Sequence, residues 1–387
     1  MCDSFHGEPQ QNTKTIPVQQ AIGTVLAHDI TEIRPGEFKG RAFKKGHVIR
    51  EEDVCHLQRL GKEHLFVLRV AEDEMHENDA AYAIARALMG GGVAIKGEPR
   101  EGKIDLIASH DGILKIDRDA LLKFNMLGDV MCATLHDNMV VKKGQTVAGT
   151  RAIPLVVKTA VIEEAVRTAK EVQGSKFKVQ SSGVIEVKEL KKPRAGVVIT
   201  GNEVYHGRIK DAFAPVIRKK IEEIGGEITG IYYAPDDKAF IVDRLRELLN
   251  AGADLLITTG GMSVDPDDVT RFAIRELDAV DVTYGSAVLP GAMFLVGYLY
   301  KGQGSWGKGQ GTSEILNSEH RTPHSELVPI LGIPACGMYA RTTVFDLVLP
   351  RILAGERIGR RELAELGHGG LCMKCDPCRY PICPFGK

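Results

Sequence analysis

The chain has 387 residues, 43% of them hydrophobic and 26% charged, which suits two to three domains and is too apolar for wholesale disorder. Fifty Lys and Arg against 51 Asp and Glu leave a formal net charge of −1, so no global field steers the chain toward nucleic acid or anionic lipid. Apolar runs such as Ile330–Ile333 fall far short of the roughly 20 residues a membrane-spanning helix needs.

Residues 1–14 are polar, with neither the basic start nor the apolar stretch of a secretory leader, and read as a disordered tail of a cytoplasmic protein. Residues 15–92 are mixed. Val18–Ala27 has helical spacing, Phe43–Ile49 and Leu65–Val70 read as strands around a helix at Glu51–Leu60, and a helix at Ala80–Met89 stops at Gly90-Gly91-Gly92. Residues 93–192 read as a β-rich module of unknown role. Hairpins are expected at Ile104–Ala108/Ile113–Ile116, across Ser109-His110-Asp111-Gly112, and at Met139–Val141/Thr146–Ala148, across Lys142-Lys143-Gly144-Gln145. A helix at Thr159–Val172 and a strand at Gly183–Val187 lead to a linker at Lys191-Lys192-Pro193-Arg194.

From 193 to 355 the pattern changes. Strands at Gly196–Ile199, Ile228–Tyr233, Leu255–Thr259 and Pro329–Ile333 alternate with helices at Phe213–Ile224, Phe240–Leu249, Val269–Leu277 and Tyr339–Leu353. That alternation predicts an α/β domain: a parallel sheet with helices on both faces. Residues 302–325, rich in Gly and Ser and holding Trp306, read as a long flexible loop, a lid candidate; His320 and His324 within it read as solvated. Residues 356–387 form a small Cys-rich tail.

In parallel sheets, ligands collect where strand carboxyl ends meet helix starts. Thr200-Gly201-Asn202-Glu203 follows one strand, and Thr259-Gly260-Gly261-Met262-Ser263 follows another. Consecutive glycines let backbone N–H groups approach an anion, and Ser263 would add a donor. The alternative is a tight turn whose following Asp265, Asp267 and Asp268 merely cap a helix. Glu203, the pair Asp236 and Asp237, and Asp268 end three different elements. Gathered on one rim they would offer Mg²⁺ oxygen ligands, whereas apart they would be solvated caps. Cys336, at a strand-to-helix turn, reads as a buried thiol.

These segments have a familiar order. From about Gly196 to Gly355 the chain resembles the molybdopterin-binding domain shared by molybdopterin molybdenumtransferases, gephyrin and molybdopterin adenylyltransferases. The resemblance rests on Thr200-Gly201-Asn202-Glu203, Gly207-Arg208-Ile209-Lys210-Asp211, Pro235-Asp236-Asp237, Thr259-Gly260-Gly261-Met262-Ser263-Val264, Asp268, Pro290-Gly291 and Gly332-Ile333-Pro334. Ile16–Ile30 and Phe43–Val70 carry a fainter likeness to the family's opening segment. The resemblance implies a role in molybdenum cofactor biosynthesis: molybdate inserted into adenylated molybdopterin, with AMP released and Mg²⁺ assisting. By position, Glu203, Asp236, Asp237 and Asp268 would be the catalytic acids; Thr200, Gly201, Gly260, Gly261, Ser263, Pro290 and Gly291 would hold the ligand. A homodimer, and partnership with a molybdoenzyme or another cofactor-assembly protein, are implied too. The departures are specific. Pro290-Gly291-Ala292-Met293 replaces a proline-glycine-lysine-proline loop, and Pro334-Ala335-Cys336-Gly337 replaces proline-glycine-asparagine-proline. The family's second domain, with its glycine-alanine-aspartate signature, is not found, and residues 71–192 stand between the matched parts. A non-catalytic molybdopterin carrier or delivery protein is therefore the alternative to a transferase.

Cys372, Cys375, Cys378 and Cys383 crowd into twelve residues. Clustered thiols in a long chain without an export signal read as metal ligands rather than a disulfide scaffold. Four thiolates at this spacing suit either a tetrahedral Zn²⁺ or an iron–sulfur cluster.

Overall fold

A computed structural model describes residues 13–34, 37–68, 71–170, 183–262, 268–301 and 327–387. The expected lid with Trp306, His320 and His324, the N-terminal tail up to residue 12, and Ser263 lie outside the described residues. Two compact units emerge: one spans Met1–His110, Leu114–Leu135 and Val141–Val187, the other Asp111–Ile113, His136–Val140 and Lys188–Lys387. Among the described residues no helix is long and apolar enough to cross a membrane.

In the first unit, Val18, Ala21, Leu26, Ile30, Phe43, Ile49, Leu57 and Leu65 form one core. The helix expected at Val18–Ala27 is only a 3-10 turn, Val18–Gln20. Gly23, at φ +83°, sends its N–H to Ile49 O at 2.8 Å, so the backbone bonds outward instead of along a helix. The strand expected at Phe43–Ile49 is displaced: Phe38–Phe43 pairs with Ile30–Arg34, and His47 N–H closes a turn onto Lys44 O. The helix Glu51–Arg59 and the strand His64–Leu68 lie where the pattern puts them. Both expected hairpins are wrong. Lys103–Ala108 pairs with Val93–Arg100 and Thr146–Ala152, while Gly112–Ile116 joins a separate sheet. Met139–Val141 and Thr146–Ala148 likewise belong to different sheets. The tight turn is Glu101-Gly102, with φ of 51° and 70°; two left-handed residues suit a two-residue hairpin. Gly112, expected in that role, is not left-handed but begins a strand.

The second unit is built on a six-stranded sheet. Its strands are β1 (Arg194–Thr200), β2 (Glu227–Ala234), β3 (Leu255–Thr259), β4 (Val280–Tyr284), β5 (Leu295–Tyr300) and β6 (Leu327–Ile333), in the order β2-β1-β3-β6-β5-β4. The neighbours β2, β1, β3 and β6 pair in parallel. The sheet is not wholly parallel as expected, because β5 and β4 add an antiparallel edge. Gly285–Phe294 connects these two strands without a crossover helix, and a connection that short requires antiparallel pairing.

Period-two alternation divides the sheet between two cores. Ala195, Val197, Ile199, Leu255, Ile257, Leu331 and Ile333 face α1 (Phe213–Glu223) and α4 (Val344–Leu353). Val198, Leu256 and Ile330 face α2 (Lys238–Asn250) and α3 (Thr270–Glu276). Helices therefore cover both faces, as the alternating sequence requires. Gly196 is a packing glycine: a Cβ there would stand 2.8 Å from Leu248 Cβ. Thr343 and Asp346 form a reciprocal capping box that starts α4 at Val344 rather than Tyr339. Ala335–Met338 before it is a 3-10 turn.

One charge in the first unit is costly. Glu77, at the start of the buried helix Glu77–Leu88, is only 5% exposed and lies against Gly102, whose Cβ would meet its Oε2 at 2.9 Å. Burial pushes its carboxyl up to about 7, against the opposing pull of Arg151. A carboxyl raised in the folded state binds its proton more tightly there than in the unfolded chain. Its contribution is present in full below the unfolded value of about 4.5 and is lost as pH rises to about 7. Glu77→Gln should flatten the fall in the first unit's stability across that window, a span of up to about 3 kcal/mol. Urea unfolding at pH 4.5 and 8 would check this.

Candidate functional site

The described carboxyl ends of the parallel strands share one edge of the sheet. Register places Thr200 beside Ala234, Ile199 beside Thr259, and Thr259 beside Ile333. Leu295 pairs with Gly332 and Tyr284 with Leu295, so the β4–β5 connection carrying Pro290-Gly291 lies at the same edge. Strand order turns around β1: β2 lies to one side and β3 to the other. The crevice between β1 and β3 is thus the topological switch point, where α/β sheets accept ligands.

Two glycines form its floor. Gly260 and Gly261 have φ of +79° and +56°, values that L side chains rarely adopt. Space forbids side chains as well: a Cβ at Gly260 would stand 2.4 Å from Thr200 O, and one at Gly261 2.4 Å from Thr270 Oγ1. The buried Thr200 hydroxyl donates to Thr259 O at 2.8 Å and lies 3.1 Å from Thr270 Oγ1. One threonine therefore ties the end of β1 to the end of β3 and to the start of α3. Met262 continues the bend: its carbonyl accepts the Tyr284 hydroxyl at 2.6 Å, and its methyl lies against Gly332. Gly201, buried at φ +138°, lies beneath the Glu203 carboxylate.

The expected acids reach this edge but play different parts. Asp236 Oδ2 accepts the Asn202 N–H at 3.0 Å, and Asn202 Oδ1 accepts the Asp236 N–H at 3.4 Å. This reciprocal pair binds the loop after β1 to the loop after β2. Asp237 caps α2, accepting the Phe240 N–H at 2.7 Å. Glu203 is exposed on the single helical turn Asn202–Tyr205. Asp268 is half-buried, two residues before Thr270. Among the described residues no three His, Cys, Asp or Glu side chains form a group able to hold a metal ion. Asp211, from the matched Gly207–Asp211 segment, starts α1 by accepting the Phe213 and Ala214 N–H groups. It also accepts the Tyr233 hydroxyl; burial, then the Asp211 charge, raises that phenol.

Pro290-Gly291 is braced from α4. Val344 N–H donates to Pro290 O at 3.2 Å, Ser286 Oγ donates to Gly291 O at 2.9 Å, and a Cβ at Gly291 would stand 2.5 Å from Val344 Cγ1. Cys336, expected to be buried, is only half-buried in the turn Ala335–Met338, and that burial pushes its thiol up. Sequence reasoning missed Thr270, Arg271 and Arg360, and quoted Asn202 within its motif without giving it a part of its own. Arg271 lies over the Tyr284 ring, 5.6 Å from its centroid, and Arg360 donates to Tyr284 O at 2.8 Å and Gly285 O at 3.3 Å. Two cations thus flank the end of β4, although the loop carries Ala292 in place of a lysine. Of these three only Thr270 left a local trace, a hydroxyl at the start of the helix after Asp268.

Residues 196–354 match a family model described as a probable molybdopterin binding domain. The match supports the general molybdopterin-binding family for that segment. Residues 15–69 match a domain of unknown function (DUF8806). A CinA-like protein of Mycolicibacterium gilvum (strain PYR-GCK) is 41% identical over 90 residues, 22% of this chain and 21% of that protein. One of Mycobacterium avium (strain 104) is 42% identical over 89 residues, 22% of this chain and 20% of that protein. The matched segment thus spans about a fifth of these curated relatives. Among solved structures, the molybdopterin biosynthesis enzyme MoaB of Thermus thermophilus is 21% identical, covering 42% of this chain and 98% of its own, with a TM-score of 0.32. The tungsten cofactor synthesizing protein MoaB of Pyrococcus furiosus is 17% identical over 43% of this chain and 98% of its own, with a TM-score of 0.31.

The glycine bend yields a stability prediction. Gly261→Ala should destabilise the second unit by about 2 kcal/mol or more, combining left-handed strain with a clash against Thr270. Denaturant unfolding followed by a second-unit probe measures it; an unchanged midpoint would mean the bend relaxes freely.

Proposed function

We propose that the second unit binds molybdopterin at the β1–β3 crevice and serves molybdenum cofactor biosynthesis. The observation that carries this reading is the switch-point crevice itself, floored by Gly260 and Gly261 and lying within the segment matched to a molybdopterin-binding model. Backbone N–H groups at such a bend suit an anionic tail, and Arg271 adds positive charge over the Tyr284 ring, whose hydroxyl bonds the Met262 carbonyl.

The activity we assign is insertion of molybdate into adenylated molybdopterin with release of AMP. Asp236 and Asp237 would set loop geometry, because both carboxylates accept backbone N–H groups. Glu203 and Asp268 would face the reacting end. Mg²⁺ needs only one or two protein carboxylates when phosphates and waters complete its shell, so Glu203 and Asp268 would be enough to hold it beside the ligand phosphates. When bound, Mg²⁺ would supply charge neutralisation on the phosphoanhydride. Glu203 and Asp268 would hold that end in place while the crevice floor keeps the phosphates turned toward the backbone. A binding or delivery role without turnover is the second reading. It is favoured by Ala292 at the family's lysine position and by the structural use of two of the four acids.

Incubation of the purified protein with adenylated molybdopterin, molybdate and Mg²⁺, with AMP assayed, separates the two. Glu203→Gln and Asp268→Asn should each lower AMP release by about a hundredfold while retaining pterin binding. Binding with no AMP from the unaltered protein selects the carrier; absence of pterin binding refutes both.

A further inference from the structure

The C-terminal segment has a structure of its own that the ligand crevice does not explain. From Gly369 to Lys387 it contains no helix and only an isolated bridge at Leu371, yet it closes on itself. Gly386 N–H donates to Gly369 O at 3.0 Å, Phe385 is buried, and a Cβ at Gly386 would stand 2.4 Å from Leu347 Cδ2. Cys372, Cys375, Cys378 and Cys383 lie inside this closed loop as free thiols.

Two of the sulfurs share one local arrangement. Cys372 Sγ accepts the N–H of Lys374 at 3.4 Å, and Cys378 Sγ accepts the N–H of Tyr380, in each case the residue two positions on. Lys374 takes a left-handed φ of 52°. Cys372 and Cys383 are half-buried against the sheet core, and Cys375 is exposed. With no strand ladder and few buried side chains, the segment lacks the usual means of holding four cysteines near one another.

We propose that Cys372, Cys375, Cys378 and Cys383 bind one soft metal centre, Zn²⁺ or an iron–sulfur cluster, and that the loaded tail clamps the Pro290-Gly291 rim. All-sulfur ligation selects these two classes over hard cations. The sulfurs are not yet gathered into a metal-holding group. Binding therefore draws them together, each thiol releases its proton to solvent, and the binding free energy becomes order in the tail. The clamp is visible in the hydrogen bonds. Leu289 N–H donates to Gly370 O at 2.8 Å, Cys372 N–H donates to Leu289 O at 2.8 Å, and Leu289 directly precedes Pro290. On the other side, Thr342 Oγ1 lies 3.5 Å from Cys378 Sγ, and Tyr380 donates its hydroxyl to Asp346 O at 3.2 Å, at the start of α4. Cys372 thus adjoins one half of the rim brace and Cys378 the other. This inference is independent of which ligand the crevice takes.

The test uses the full chain purified anaerobically under reductant, with zinc, iron and acid-labile sulfide measured per chain and the visible spectrum recorded. Expected is either about one Zn²⁺ and no colour, or iron with equal sulfide and a visible charge-transfer band. Cys375→Ser and Cys378→Ser should lose most of the metal, while Cys55→Ser, on an exposed first-unit helix position, should keep it. Chelation of the unaltered protein should speed amide exchange at Leu289, Val344 and Cys372 about tenfold and leave Ile257 in β3 unchanged. Failure to bind either metal stoichiometrically after reconstitution, or full metal content in both tail variants, overturns the site. Metal bound without any change in those amides overturns the clamp.

Discussion

Backbone meets backbone at the carboxyl ends of β1 and β3 with no room for a side chain, and the rest of the candidate site depends on that approach. Thr200 O occupies the space a Cβ at Gly260 would take, and the Thr200 hydroxyl lies between Thr259 O and Thr270 Oγ1. Each of these polar atoms is buried and would cost roughly 1–3 kcal/mol if left unpaired. The Thr200 hydroxyl pairs with both neighbours, so the bend is fixed from below, while the buried Thr259 hydroxyl has no hydrogen-bond partner among the described residues.

Above that floor the charges are divided by task. Two acids are used internally, Asp236 against the Asn202 amide and Asp237 at the start of α2. Glu203 and Asp268 stand at the ends of two further elements, and Arg271 and Arg360 flank β4. The chain's near-zero net charge hides this arrangement. A net charge of −1 says nothing about an edge where carboxylates and guanidiniums are sorted by loop.

Sequence revealed the frame and concealed its closing strands. Val197–Ile199 and Leu255–Ile257 are legible because strands covered on both faces are apolar throughout. The run Leu295–Tyr300 is just as apolar, but nothing local says that its partner is an antiparallel β6 rather than another crossover. The failed hairpins have a related cause. Gly112 and Gly144 sit where turns are expected, yet pairing was decided by long-range register, and the turn with two left-handed residues was Glu101-Gly102. In the site, the glycine pair was legible from its position after a strand. Thr270 was not, because its partner Thr200 lies 70 residues away.

Asn202 and Asp236 have a mechanical consequence. Their two reciprocal hydrogen bonds, at 3.0 and 3.4 Å, make the segments after β1 and β2 behave as one stiff bracket. Any molecule that pushes Glu203 aside must drag the cap of α2 along with it or rupture both bonds. Local adjustment is therefore expensive on this flank of the crevice.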